Sequence, residues 1–339
     1  GLRRMGLYTF INVSQNVLTV ILTLALVLLG YGVNGAVLAL VLPVALLSTF
    51  SVFAVRRSLK KPSTLQYIPV ARTLLRFGTY VVLASAIGMA LYNTDRIMLG
   101  YFLDDVAVGI YSIAATVVLV LHLPSQAIQL ITNPTIASQW AQREIGRIQD
   151  FINRTMKLTG MLIFPLAFAL AFLAEDLITV IFGTEYVSGA LPLQILLVGF
   201  VVGGLLTSVG TALSSTAYVQ VGFIITSIQL AANVALNVAL IPLFGMNGAA
   251  AATSAALILG ALVSFYLMQR LIRIAIDWRW FMRFLLTGAA VYACALALAL
   301  VINPYLCMLL GLAVIAILTN KFFLAKEDRE AIVSVLSLK

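Results

Sequence analysis

Charge is what this sequence has least of. Only 10% of its 339 residues are Asp, Glu, Lys or Arg, against roughly 25% in soluble domains. With 62% of residues hydrophobic, too little polar surface remains to keep a folded globule in water. Cysteine is also scarce. Cys294 and Cys307 both fall inside apolar runs, so neither a disulfide framework nor a thiolate metal site is expected. The lone histidine, His122, lacks the Cys, His or carboxylate neighbours that a metal site requires. No metal and no cofactor is therefore expected. No signal peptide is visible, and the chain opens on Gly1. This start is read as that of a fragment or processed product, shortened at its N-terminus.

Long apolar runs are plentiful. A helix crosses a bilayer with about 20 predominantly apolar residues. Ten such spans are expected, near 7–29, 36–55, 77–101, 106–131, 156–174, 191–213, 219–243, 248–269, 281–302 and 304–320. The fold class is an all-α integral membrane protein with about ten transmembrane helices. Basic residues stay on the cytoplasmic side of a membrane. Ten alternating spans, with both termini of this chain cytoplasmic, put 20 of the 21 Lys and Arg inside and leave only Arg96 outside. Six acids (Asp95, Asp104, Asp105, Glu175, Asp176, Glu185) fall toward the outer side and six toward the inner. Trp140, Trp278 and Trp280 all sit at the inner boundary, where interfacial anchors belong. The positive charge thus follows a membrane surface, and no nucleic-acid patch is formed. Between the fourth and fifth spans, residues 136–153 carry Ile145, Ile148 and Ile152 at helical spacing. An amphipathic helix lying on the cytoplasmic surface and a plain connecting loop both fit this segment.

Two stretches repeat each other. Residues 30–47 and 243–260 both contain Gly-x-Asn-Gly-Ala, as Gly32, Asn34, Gly35, Ala36 and as Gly245, Asn247, Gly248, Ala249. Each motif is expected in a short outer turn that opens a span, since Gly and Asn tolerate left-handed backbone and small residues let helices approach closely. The motifs begin the second and eighth spans, six helices apart. That spacing implies six-helix repeats, the second span being the last of a first bundle. Transporters are often built from such repeats, with the site between them.

Polar residues inside the spans form stripes. His122, Gln126, Gln129 and Asn133 share one face of the fourth span, and Thr226, Gln229, Asn233 and Asn237 one face of the seventh. Asn12, Gln15, Thr19 and Thr23 line the first, and Thr207, Thr211 and Ser214 the sixth. Two arrangements satisfy such stripes: a hydrated cavity shared by the helices, or hydrogen bonds between helices in a dry bundle. Asp95 and Arg96, with Asn93 beside them, stand out most. Arg96 lies 20 residues past Arg76, about 30 Å of helix and so near the outer edge of the hydrocarbon. It either snorkels to water or marks a substrate path, where a guanidinium suits a phosphate oxygen. Asp95 would hold Arg96 in place, or take up a proton or cation.

The segments YNTDRIMLGYFLDDVAVGIYSIA (92–114) and AEDLITVIFGTEYVSGALPLQIL (174–196), with the Gly-x-Asn-Gly-Ala turn, resemble the polysaccharide-biosynthesis flippases of the Wzx type. These share a superfamily with the MATE exporters and the lipid II flippases. The resemblance implies a two-lobe bundle of six plus six helices and two more. Residues 1–55 would complete the N-terminal lobe, 56–76 form a basic cytoplasmic linker, and 77–271 the six-helix C-terminal lobe. Residues 281–320 would be the two additional helices and 321–339 a cytoplasmic tail. It implies a flippase, not an enzyme, moving undecaprenyl-diphosphate-linked oligosaccharide across the cytoplasmic membrane by alternating access. Lipid-linked oligosaccharide, membrane lipids, a polysaccharide polymerase and glycosyltransferases are the implied partners. Asp95 and Arg96 match the family's Asp-basic pair, and Gly100, Gly109 and Tyr111 its following positions. The chain departs from many relatives in carrying no basic residue deep in its spans beyond Arg96. A MATE-type cation-coupled antiporter is the alternative. A membrane glycosyltransferase or ligase would need a large outer loop, and the longest here is about 175–190.

Overall fold

A computed structural model describes residues 5–56, 67–216 and 218–319. Among them every regular element is helical. Helices α1 (Met5–Leu26) and α2 (Gly32–Arg56) precede α3 (Tyr67–Phe102) and α4 (Asp105–Val118). Then come α5 (His122–Ala141), α6 (Ile145–Phe172), the short α7 (Ala174–Phe182), α8 (Ala190–Leu205) and α9 (Thr207–Ser214). The last three are α10 (Val219–Ile272), α11 (Trp278–Ala299) and α12 (Pro304–Leu318). Among the described residues, six stretches are long and apolar enough to cross a membrane, with two shorter apolar helices at Val37–Ser51 and Pro304–Leu318. Helix occupies each of the ten spans expected from the sequence. Fully exposed apolar side chains such as Leu28, Leu300 and Val301 point outward, which only a lipid solvent makes favourable. The protein has an all-α, multi-pass membrane fold.

Helix α10 is two spans. Its 54 residues would reach about 80 Å if straight. Instead Gly245 adopts φ 57°, ψ −135°, the first central position of a type II′ turn, which needs glycine. The chain folds back there, so Asn233 Nδ2 donates to Thr253 Oγ1 at 2.8 Å, across twenty residues of sequence. The matched residue of the other motif, Gly32, has φ 51° and ψ −134°. The sequence repeat is therefore a repeat of backbone geometry. At Gly248 an added Cβ would lie 2.2 Å from the Leu240 carbonyl oxygen, and at Gly35 2.8 Å from Tyr31 Cβ.

The chain divides into two compact units, Gly1–Val70 and Ala71–Lys339. In the first, α1 packs against α2. In the second, one apolar core runs from Leu99 through Phe284 and is centred on α6, α8 and α10. The α8–α10 seam is the tightest. Ser254 Oγ donates to the Ile195 carbonyl at 2.7 Å, and a Cβ on Gly199 would meet Ser254 Cα at 2.4 Å. Gly199→Val should therefore cost about 1–3 kcal/mol of stability, read as a lower unfolding midpoint in detergent. Helix α12 packs on α6 and on α11, and α11 reaches α6 through its rings, with Phe168 edge-on to Tyr292 at 5.7 Å.

Residues 136–153 do not form a separate surface helix or an extended loop. They end α5 and begin α6, joined by a tight turn in which Arg143 takes a left-handed φ of 59°. Ile148 and Ile152 are buried in the core, so the isoleucine spacing records α6's packing face. Of the basic linker expected at 56–76, residues 57–66 lie outside the described residues and 67–76 begin α3; the tail 321–339 also lies outside them.

Candidate functional site

Residues three and four apart share a helix face, while adjacent ones sit about 100° apart. That geometry separates Asp95 from Arg96 on α3. Asp95 turns into the bundle and is 4% exposed. Its Oδ1 accepts from Asn233 Nδ2 at 3.0 Å and Asn237 Nδ2 at 2.8 Å. Its Oδ2 accepts from Tyr111 Oη and Thr253 Oγ1, each at 2.5 Å. One carboxylate thus joins α3, α4 and both halves of α10. All four donors are neutral, and no ion pair of Asp95 is found among the described residues. Asn237 Nδ2 also reaches Asn233 Oδ1 at 3.1 Å, while Asn237 Oδ1 is buried without a partner.

Arg96 shares none of these contacts. It lines a cavity of about 490 Å³ together with Tyr92, Asn93, Asp95, His122 and Gln126. Its Nη1 reaches Asn93 Oδ1 at 3.4 Å, a long contact for a hydrogen bond. Its Nε is buried with no partner. Asp95 therefore does not hold Arg96; the expected pairing is replaced by the four neutral donors. Tyr111, Thr253, Asn233 and Asn237 cover most of Asp95, and what is left of its surface meets this cavity. Across the same cavity Tyr92 Oη lies 3.1 Å from His122 Nε2, and Phe200 stands edge-on to the His122 ring at 5.1 Å.

The polar stripes divide by neighbour. His122 and Gln126 line the Arg96 cavity. Gln129 is half-buried outside it. Asn133 accepts from Ser215 Oγ at 3.0 Å, a link between α5 and the turn after α9. Asn233 and Asn237 are fully buried on Asp95, as a dry interhelical contact would have them. Gln229 lines a second, smaller cavity. In the first unit, Gln15 is half-buried and its carbonyl accepts from Thr19 Oγ1 at 2.9 Å; the side chain of Asn12 lies outside the described ones. Asn34 is exposed, and Asn247 is half-buried with an unpartnered Oδ1. Thr253, Tyr92 and Phe200 were not singled out from the sequence. Thr253 alone carried a usable signal, a hydroxyl within an alanine-rich span.

This fold is an all-α membrane bundle with a buried carboxylate hub and a cationic cavity wall. It is similar to the structure of the lipid II flippase MurJ in an inward closed conformation, with a TM-score of 0.60 and 16% identity over 91% of this chain and 66% of that one. Residues 5–191 match the family described as polysaccharide biosynthesis protein, and the chain belongs to that family. Two relatives come from Haloferax volcanii. The probable low-salt glycan biosynthesis flippase Agl15 is 27% identical over 255 residues, 75% of this chain and 53% of its own length. The probable flippase AglR is 26% identical over 267 residues, 78% of this chain and 55% of its own length. The chain spans about half the length of these curated relatives.

Proposed function

We propose that the protein is a glycan-biosynthesis flippase that moves a lipid-linked oligosaccharide, on undecaprenyl diphosphate, to the outer leaflet of the cytoplasmic membrane. The observation that carries this reading is Arg96. It is a cation in the wall of a cavity, its Nε buried without a partner. A fixed guanidinium with free donors matches a diphosphate oxygen. Neutral groups beside it (Asn93, His122, Gln126) suit sugar hydroxyls. The family and the names of its relatives support the same reading. The polar headgroup crosses through the protein while the prenyl tail stays in lipid, and six-helix lobes rock between two states. Residues 77–271 form one lobe and 1–55 belong to the other, with both termini of this chain cytoplasmic.

Asp95 is the coupling position. Its partners are neutral, and the unpartnered Asn237 Oδ1 adds another buried oxygen. Oxygen donors of this kind fit a hard cation or a proton. Asp95, Thr253 and Asn237 would hold it. The chemistry such an ion supplies when bound is neutralisation of the carboxylate, which gives two states of the bundle different energies.

With the full-length protein reconstituted in vesicles, Arg96→Ala should slow flipping of a diphosphate-linked oligosaccharide at least about tenfold, a loss of roughly 1.4 kcal/mol. Arg96→Lys should recover part of the rate, keeping charge without the planar fork. Flipping unchanged in Arg96→Ala removes this residue from the substrate path.

A further inference from the structure

A second cavity, of about 190 Å³, adjoins the first within the C-terminal unit. The two share three wall residues, His122, Phe200 and Leu257. Each stands near the middle of its span, on α5, α8 and the second half of α10. From that level, the further lining residues step in one direction. Ser125 is a turn farther along α5, Gly203 and Gly204 farther along α8, and Gly260 and Ser264 farther along α10. Gln229 lies toward the start of the antiparallel first half. All these displacements run toward the end of the bundle that carries Arg143, Arg147, Arg270 and Arg273. Asp95 and Arg96 line the chamber on the other side of the three shared residues.

The inner chamber holds no charged side chain, yet it is not chemically apolar. Ser125 is 2% exposed, lines the chamber, and its Oγ has no hydrogen-bond partner. A buried hydroxyl left unsatisfied costs roughly 1–3 kcal/mol. Most Ser and Thr side chains of these spans bond to the carbonyl one turn back, as Ser264 does to Gly260 at 2.8 Å; Ser125 does not. A cavity of this size is ample for water, which needs about 10–15 Å³ and two to four polar partners. Ser125, Gln229 and His122 supply them.

We infer that the inner chamber is a water-filled access route from the basic, cytoplasmic end of the bundle toward Asp95, closed at mid-height by His122, Phe200 and Leu257. Its ligand class is water and the small cation, proton included, that moves with it. This rests on the reading of Asp95 as the coupling position, but its test is independent of transport. The His122 ring makes the closure specific. It is held edge-on to Phe200 on one side and by the Tyr92 hydroxyl on the other. Turning it away would join the two chambers.

The test places a thiol in the inner chamber as Ser125→Cys, with Ala261→Cys as a second reporter in case the first does not fold. Both are made in a Cys294→Ala, Cys307→Ala background. Only a thiolate reacts, so modification by a charged, membrane-impermeant methanethiosulfonate reports water. In inverted membrane vesicles the reporter should be modified. In right-side-out vesicles it should react at least about tenfold more slowly, because the thiolate is shielded by the closed waist. Gly203→Leu should suppress the reaction. At Gly203 an added Cβ has only Leu257 Cβ within reach, at 3.9 Å, so the larger side chain fills the chamber without a backbone clash. His122→Ala should abolish the difference between the two vesicle orientations. No modification of either folded reporter from either side means a dry chamber and overturns the inference, as does equal reaction from both sides with His122 intact. If the reporters behave as expected while Arg96→Ala and Asp95→Asn flip normally, the route stands and the substrate reading fails.

Discussion

Asp95→Ala should be the most damaging single substitution in the C-terminal unit. It strips the common acceptor from Tyr111, Thr253, Asn233 and Asn237. Side-chain hydrogen bonds between membrane helices average only about 0.6 kcal/mol, so four ordinary ones would amount to about 2–3 kcal/mol. The acceptor here is a carboxylate, for which hydrogen bonds are about twice as strong. Its removal also leaves the Tyr111 and Thr253 hydroxyls without an acceptor and takes one of two acceptors from each of Asn233 and Asn237. A loss of about 3–5 kcal/mol is expected from the doubled bonds and the unmatched hydroxyls, visible as a lowered unfolding midpoint in detergent and a smaller folded fraction. Asp95→Asn separates charge from shape. It keeps the side chain's volume and one acceptor oxygen, so it should fold, though less stably, because its NH2 now faces donors. It should lose dependence of flipping on a cation or proton gradient. A gradient response retained by a folded Asp95→Asn protein would remove Asp95 from coupling and leave it as a structural hub.

Gly248→Val should prevent the second span of α10 from folding back on the first. The obstacle is backbone, the Leu240 carbonyl oxygen at 2.2 Å from any Cβ, and backbone in the last turn of a helix cannot step aside. A loss above about 3 kcal/mol is expected, beyond the 1–3 kcal/mol usual for overpacking a core. The matched change, Gly35→Val, meets the Cβ atoms of Tyr31 and Leu26 at 2.8 and 3.0 Å and the Leu26 carbonyl oxygen at 3.2 Å. These contacts are looser, so its effect should be smaller. The two variants compared by thermal unfolding test the ranking. Equal tolerance of both would show that the turn at Gly245 does not depend on this close approach.

The two halves of the candidate site differed in how legible they were. Asp95 and Arg96 stand out in any reading, because charge inside an apolar span is costly and needs a reason. Their separation did not stand out. Adjacent opposite charges suggest a pair, yet the helix turns them 100° apart, Asp95 onto four neutral donors and Arg96 along the wall of the cavity that both line. The stripes show the same limit. His122 with Gln126, and Asn233 with Asn237, have identical four-residue spacing. One pair lines open space and the other is packed onto a carboxylate. Period identifies the polar face of a helix but carries nothing about what that face meets. The isoleucines at 145, 148 and 152 were misleading for the same reason, since an apolar face suits a membrane surface and a neighbouring helix equally. Arg143 in a left-handed turn, where glycine or asparagine is usual, marked the true boundary, and no propensity would have placed it there.

From the amino-acid order alone came the solvent, the approximate spans and the reverse turns at Gly32 and Gly245. Each of these follows from local chemistry: the cost of moving a residue into hydrocarbon, or the φ angles that only glycine tolerates. Only the folded chain decided that Thr253 and Tyr111 meet Asp95, that Arg96 stands apart from it, and that two chambers share a waist at His122. Those facts depend on which helices become neighbours and at what rotation. That outcome is set by close packing across the whole bundle, and no single segment contains it.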